Sequence, residues 1–165
     1  MSSMVSLKIR GFLLDRDNMP IVMLAEETGQ RVLPIWIGPS EASAIIVELE
    51  KIRPPEPLTH DLLAVLFLRH GLRMERLEIY SRPGGCGCAA RIVYRHGLRG
   101  CTLETRPSDG LALAVRLGAP ILGAEELLSA SQFPALLHSL ADCSRGLLFL
   151  KTPAEGPAGE RVTFN

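Results

Sequence analysis

Nowhere does the 165-residue sequence hold an apolar run approaching the ~20 residues that a membrane-spanning helix needs. Its first residues place Lys8 and Arg10 in an alternating pattern and show no signal peptide, so a soluble cytoplasmic protein without membrane contact is expected. Net charge is missing too. With 18 basic residues against 18 acidic ones, no global field recruits nucleic acid or membrane. Cysteine is sparse: Cys86, Cys88, Cys101 and Cys143 contain one close pair, and C-x-C matches no common zinc spacing, so four free thiols are expected. Lysine is scarcer still, outnumbered by arginine 15 to 3, a bias that bidentate phosphate recognition or a GC-rich genome would both produce. Walker loop, G-x-G-x-x-G after a strand, H-E-x-x-H and nucleophile elbow are all absent.

What is present is regular. The length suits one domain able to bury roughly 70% of its unfolded surface, with no disulfide or metal needed for stability. That domain is expected over residues 1–150, with a loosely held tail rich in Pro, Gly and Ala over 151–165. Alternation predicts strands at Val5–Arg10, Pro20–Glu26 and Arg31–Ile37, the last an edge strand or bulge because of Pro34. A helical stripe of Ala42, Ile45, Ile46, Leu49 and Ile52 follows, and Arg53-Pro54-Pro55-Glu56-Pro57 ends it. A second helix is expected from a Thr59 cap to about His70, with Gly71 as its stop. Leu72–Ser81 reads as a strand whose alternation slips at Glu75-Arg76, and Cys88–Arg95 with Leu98–Thr105 reads as a hairpin. Pro107–Leu117 is a third helix, and Glu125 to about Ala141 a fourth, interrupted at Pro134.

Strands in runs, then helices in runs, give the order β-β-β-α-α-β-β-β-α-α, an α+β fold with a mixed sheet and packed helices. Aligning Pro39 with Pro107 yields five identities over eleven positions, which suggests a degenerate internal duplication. Apolar strand faces and the edge strand carrying Pro34 suggest a homo-oligomer, a dimer first.

Three short segments hold the chemistry. In GPSE and RPSD a proline opens a helix and an acid, Glu41 or Asp109, sits in its first turn, where the helix dipole favours it. Arg106 is the anomaly, because a cation just before a helix start opposes the dipole. An acidic partner within the fold or a phosphate shared with the helix amides would each account for it. Between these segments, His60 and Asp61 in LTHD pair an imidazole with a carboxylate, the material of a general base or of a divalent-metal site. Residues 69–99 carry seven arginines against two glutamates, a basic stretch that nucleic acid could use if those arginines share a face.

LPIWIGPSEASAI, PLTHDLL and RPSDGLALAVRLGAPI, in this order, resemble the signature of the bifunctional nuclease domain family, over roughly Val5 to Leu128. The resemblance implies a mixed α+β domain prone to self-association and hydrolysis of DNA and RNA. It places Glu41, Arg106 and Ser108 at substrate and His60, Asp61 and Asp109 in catalysis, with Asp61 and Asp109 as carboxylates for Mg or Mn. Three departures stand out. Glu56 replaces the arginine usual before PLTHDL, Gly110 replaces the usual alanine, and PGGCGCAAR replaces an acidic turn with an aromatic pair. Two functions follow: a metal-assisted phosphodiesterase without sequence preference, or a non-catalytic, self-associating module that binds an anionic ligand, a protein or nucleic acid.

Overall fold

The computed structural model describes residues 3–82, 84, 87–129 and 147–150. Strands β1 (Met4–Leu14), β2 (Pro20–Ala25) and β3 (Val32–Trp36) form an antiparallel meander. A second meander is made by β4 (Leu72–Ser81), β5 (Cys88–His96) and β6 (Arg99–Thr105). They are joined into one mixed sheet by β7 (Ile121–Ala124), antiparallel to β1 and parallel to β4, in the order β3-β2-β1-β7-β4-β5-β6. A short β8 (Leu147–Leu150) pairs with the far half of β1. Pro34 indeed lies on an edge strand, where its missing N–H costs no ladder bond. The slip at Glu75-Arg76 is a register shift between Met74 and Arg76.

The sequence pattern does not expose β7, and the physical reason is its length. ILGA offers four residues between Gly118-Ala119-Pro120 and a helix start, too few to show a period. Long-range pairing makes it a strand, with Ile121 opposite both Leu7 and Leu77.

Helix α1 (Pro39–Leu49) follows the first meander, α2 (Thr59–Arg69) the proline connector, and α3 (Pro107–Leu117) the second meander. The expected fourth helix is described as α4 over Glu125–Ser129; its continuation past Pro134 lies outside the described residues. The start of α2 also needs correcting. Leu58, extended at φ −76° and ψ 164°, is the cap, and Thr59 is already helical; Asp61 turns back to accept the Leu58 N–H at 2.7 Å. Among the described residues no helix is long and apolar enough to cross a membrane.

α3 is the central helix. It packs on α1, α2, β4 and β5, and buries Leu111, Ala112, Leu113 and Ala114 completely. Leu117 gives way to Gly118 at φ 65°, a left-handed stop that a residue with a Cβ adopts only under strain. The main core, including Leu7, Val22, Leu24, Ile45, Phe67, Leu77, Ile79 and Ile92, fills the space between sheet and helices. A smaller cluster of Leu13, Ile21, Met23, Ala25 and Val32 buries the other face of β2, which explains why PIVMLA is apolar without alternation.

Gly110 follows from this packing. A Cβ there would stand 2.4 Å from Leu77 Cδ1 and 3.2 Å from Thr105 Cγ2, so the bare backbone makes room for a leucine that is fully buried. Alanine would improve helix propensity by about 1 kcal/mol at most. Overpacking in a filled core costs about 1–3 kcal/mol and decides the sign. Gly110→Ala is therefore expected to lower the urea midpoint, in spite of the better helix former.

Candidate functional site

Three helix beginnings meet at one point. α1 brings Glu41, α2 brings His60, and the start of α3 brings Arg106 and Asp109, each in or beside a first turn. Arg106 Nε donates to Asp109 Oδ2 at 2.6 Å and Nη2 to Oδ1 at 3.0 Å, while Nη2 also stands 3.1 Å from Glu41 Oε1. His60 Nε2 lies 3.3 Å from Asp109 Oδ1. The anomaly of Arg106 thus has an answer inside the fold: two acids from two helices hold a cation that the dipole of α3 alone would repel. The bonds to Asp109 and the charge of Glu41 raise the Arg106 pKa further, so it is a permanent cation, and its side chain stays 66% exposed with Nη1 outside these contacts.

Burial pushes the Asp109 carboxyl upward, but hydrogen bonds from Arg106 and His60 and the charge of Arg106 outweigh it and hold the group below its usual range. An ionised carboxylate only accepts, so the His60 Nε2 must carry the proton, and Nδ1 is left as the basic nitrogen.

Asp61 is next in sequence to His60 but faces elsewhere. Its Oδ1 accepts from Arg116 Nε at 2.6 Å and its Oδ2 from the Leu58 N–H. Burial raises its pKa; the bonds from Arg116 and Leu58 overcome that and leave it lowered. Ser108 is buried in the first turn of α3 and joins none of these ion pairs. Glu56, the charge reversal before the second motif, is exposed in the connector and outside the cluster. Arg116 was not singled out by sequence. Its only signal is a lone arginine in the otherwise apolar LALAVRLGAP, since bonds to Asp61 over 55 positions leave no local trace.

Two carboxylates held this way are a poor donor set for Mg or Mn. All four oxygens of Asp61 and Asp109 already accept, and each acid faces a guanidinium that would repel a divalent ion. Among the described residues no three His, Cys, Asp or Glu side chains are arranged to hold a metal. The expected ligand pair does not fit an ion in this arrangement.

Three of the seven arginines of residues 69–99 are also engaged. Arg76 and Arg91 both bond Glu78, at 2.6 and 2.5 Å; Arg95 bonds Glu75 at 2.8 Å; Arg91 lies over the Tyr80 ring, whose hydroxyl donates to Glu104. Register puts Glu78, Arg91 and Glu104 side by side across β4, β5 and β6. Arg76, Arg91 and Arg95 are thus folded into an ion-pair ladder with Glu75 and Glu78. Cys88 and Cys101 are free, and burial pushes the Cys88 thiol up, away from reactivity.

Two expectations arise from this geometry. A Cβ on Gly38 would stand 2.3 Å from Glu41 Oε2, although its φ of −74° suits any residue. Gly38→Ala should therefore swing Glu41 off Arg106 while changing stability by less than about 0.5 kcal/mol, as surface changes usually do. The Arg106 Nη–H resonances, shifted in the variant, together with an unmoved melting curve, are the check. Acid behaviour follows from the lowered carboxyls. A depressed folded pKa contributes stability that is complete above the unfolded value, about 3.9, and fades as pH falls through the folded one. Urea midpoints should hold from neutral pH to about 4 and fall below it. In Asp61→Asn and Asp109→Asn that fall should be shallower.

Comparison with known proteins gives the family. The family model of the bifunctional nuclease domain matches residues 22–135. The chain belongs to the bifunctional nuclease domain family. Uncharacterized proteins from two strains of Mycobacterium tuberculosis are 40% identical over 112 residues, which cover 68% of this chain and 66% of theirs. Bifunctional nuclease 2 of Oryza sativa subsp. japonica is 25% identical over 146 residues, 85% of this chain and 44% of the rice protein. The chain thus spans just under two thirds of the mycobacterial proteins and less than half of the rice one.

Proposed function

We propose that the Glu41–Arg106–Asp109–His60 cluster binds and cleaves phosphodiesters of single-stranded DNA and RNA without reading base sequence. The convergence of three helix beginnings on one exposed arginine carries this reading. Arg106, held in place by two acids, meets a phosphate oxygen and stabilises the charge that develops in the transition state. His60, its proton fixed on Nε2 by Asp109, takes a proton at Nδ1 from the attacking hydroxyl or water; the bond from phosphorus to the leaving oxygen breaks as the new one forms, and that oxygen takes its proton from solvent. Family membership and the rice relative's name support a nuclease.

Electrostatics set a condition. Glu41, Arg106 and Asp109 sum to one negative charge, so phosphate binding rests on the exposed Arg106 guanidinium and should weaken with added salt. Incubation of purified protein with labelled single-stranded DNA and RNA, with and without EDTA, tests the proposal. RNA carries its own nucleophile in the 2′-hydroxyl, so RNA cleavage is expected to survive EDTA and to exceed DNA cleavage there. Loss of all cleavage in EDTA would return a metal requirement to the site. Absence of cleavage under every condition, with binding retained, would support the second reading, a non-catalytic anion-binding module, which the full pairing of Asp61 and Asp109 with arginines favours.

Self-association belongs to the same proposal. α2 exposes Leu62, Val65 and Leu66, an apolar stripe at helical spacing. Light scattering should give a mass well above the 18.0 kDa of one chain, and Leu62→Asp with Leu66→Asp should return it to that value.

A further inference from the structure

We propose that Arg116 is a positioning residue for His60, acting through Asp61, and that Asp61 is its relay rather than a metal ligand. Arg116 follows Asp109 by two turns of α3, and its side chain is only 3% exposed. Its Nη1 donates to Ala44 O on α1 at 3.0 Å and to Ala112 O on its own helix at 2.9 Å, while Nε grips Asp61 on α2. One guanidinium therefore ties all three helices that supply the site. Asp61 passes the constraint on: its second oxygen holds the Leu58 N–H, which fixes the first turn of α2 from which His60 projects.

Two observations show that this arrangement is kept for position rather than for stability. Arg116 Nη2 is buried and has no hydrogen-bond partner among the described residues, a cost that an apolar side chain of similar volume would avoid. The contact that the clamp controls, His60 Nε2 to Asp109 Oδ1, is 3.3 Å long, near the outer limit of a hydrogen bond. A small rotation of α2 breaks it, and with it the tautomer that leaves Nδ1 basic. Lysine cannot replace Arg116, because a single ammonium does not reach Asp61 and the Ala44 carbonyl with the fixed geometry of the fork.

The proposal rests on the role given above to His60, but its test needs no turnover. The side-chain N–H of His60 is followed by nitrogen-edited NMR in wild type, Arg116→Lys and Asp61→Ala, with backbone amide spectra recorded on the same samples. The expected result is a protected His60 ring proton in wild type. It is lost in Asp109→Ala as the control, and equally lost in Arg116→Lys and Asp61→Ala, whose strand amides stay in place. Should either variant not fold, Arg116→Met combined with Asp61→Ala carries the test, since removing both charges leaves no guanidinium buried without its carboxylate. An unchanged ring signal in a folded variant of either position overturns the proposal. In the cleavage assay Arg116→Lys should reduce kcat about a hundredfold with KM little altered, the signature of misplacement. Loss of the ring signal in a protein that never cleaves would defeat the nuclease reading and leave the positioning role intact.

Discussion

His60→Ala is expected to slow cleavage of single-stranded RNA by about 10²–10⁴-fold, the range that a positioned proton acceptor supplies, with KM little changed. The expectation comes from geometry rather than from the presence of a histidine. His60 is one of four in the sequence, and among the described residues it alone stands beside an ionised carboxylate. Asp109 holds the ring by Nε2, and Arg106 holds Asp109, so the three act as a unit. Asp109→Asn should therefore lose nearly as much as His60→Ala, because an amide presents either a donor or an acceptor and no longer dictates the tautomer. Losses of residues that act together do not add, so the double variant should fall little further than either single one. Single-turnover rates on one labelled oligonucleotide measure all of this. A wild-type rate in His60→Ala would remove the histidine from the chemistry.

The second large effect is on stability. Leu77→Ala should cost about 2–5 kcal/mol, which in a chain of this size lowers the melting temperature by roughly 5–15 °C. Leu77 is fully buried on β4, between β7 and β5, and its methyl occupies the space that a side chain at Gly110 would take. That complementarity makes a sharper test than either change alone. In the Leu77→Ala background the alanine methyl at position 110 fills part of the cavity, so the double variant should be more stable than the summed single effects by about 1–2 kcal/mol. Simple additivity would show that Gly110 does not exist to seat Leu77.

Much of this molecule is legible before any coordinates. Both meanders, all three long helices, the bulge in β4 and the edge position of Pro34 follow from period, proline and glycine. So does the suspicion about Arg106, because a cation at a helix start demands a partner. Its partners could not be chosen in advance, since Glu41 lies 65 positions away and the choice between acid and phosphate depends on how α1 docks against α3. The same limit explains Asp61. As a neighbour of His60 it looks like a second catalytic acid, yet successive residues on a helix point about 100° apart, and that rotation sends one to Asp109 and the other to Arg116. β7 escaped for a related reason: four residues have no readable period, and only pairing with β1 and β4 makes them a strand.

The most direct test of the cluster as a phosphate site is binding of labelled single-stranded RNA, followed by anisotropy at stepped salt, for wild type and Arg106→Ala. If Arg106 meets a phosphate, the variant binds more weakly at every salt concentration and its log–log salt slope is smaller by about 1. Identical affinity and slope in the two proteins would mean that Arg106 serves only to bind Glu41 and Asp109 together.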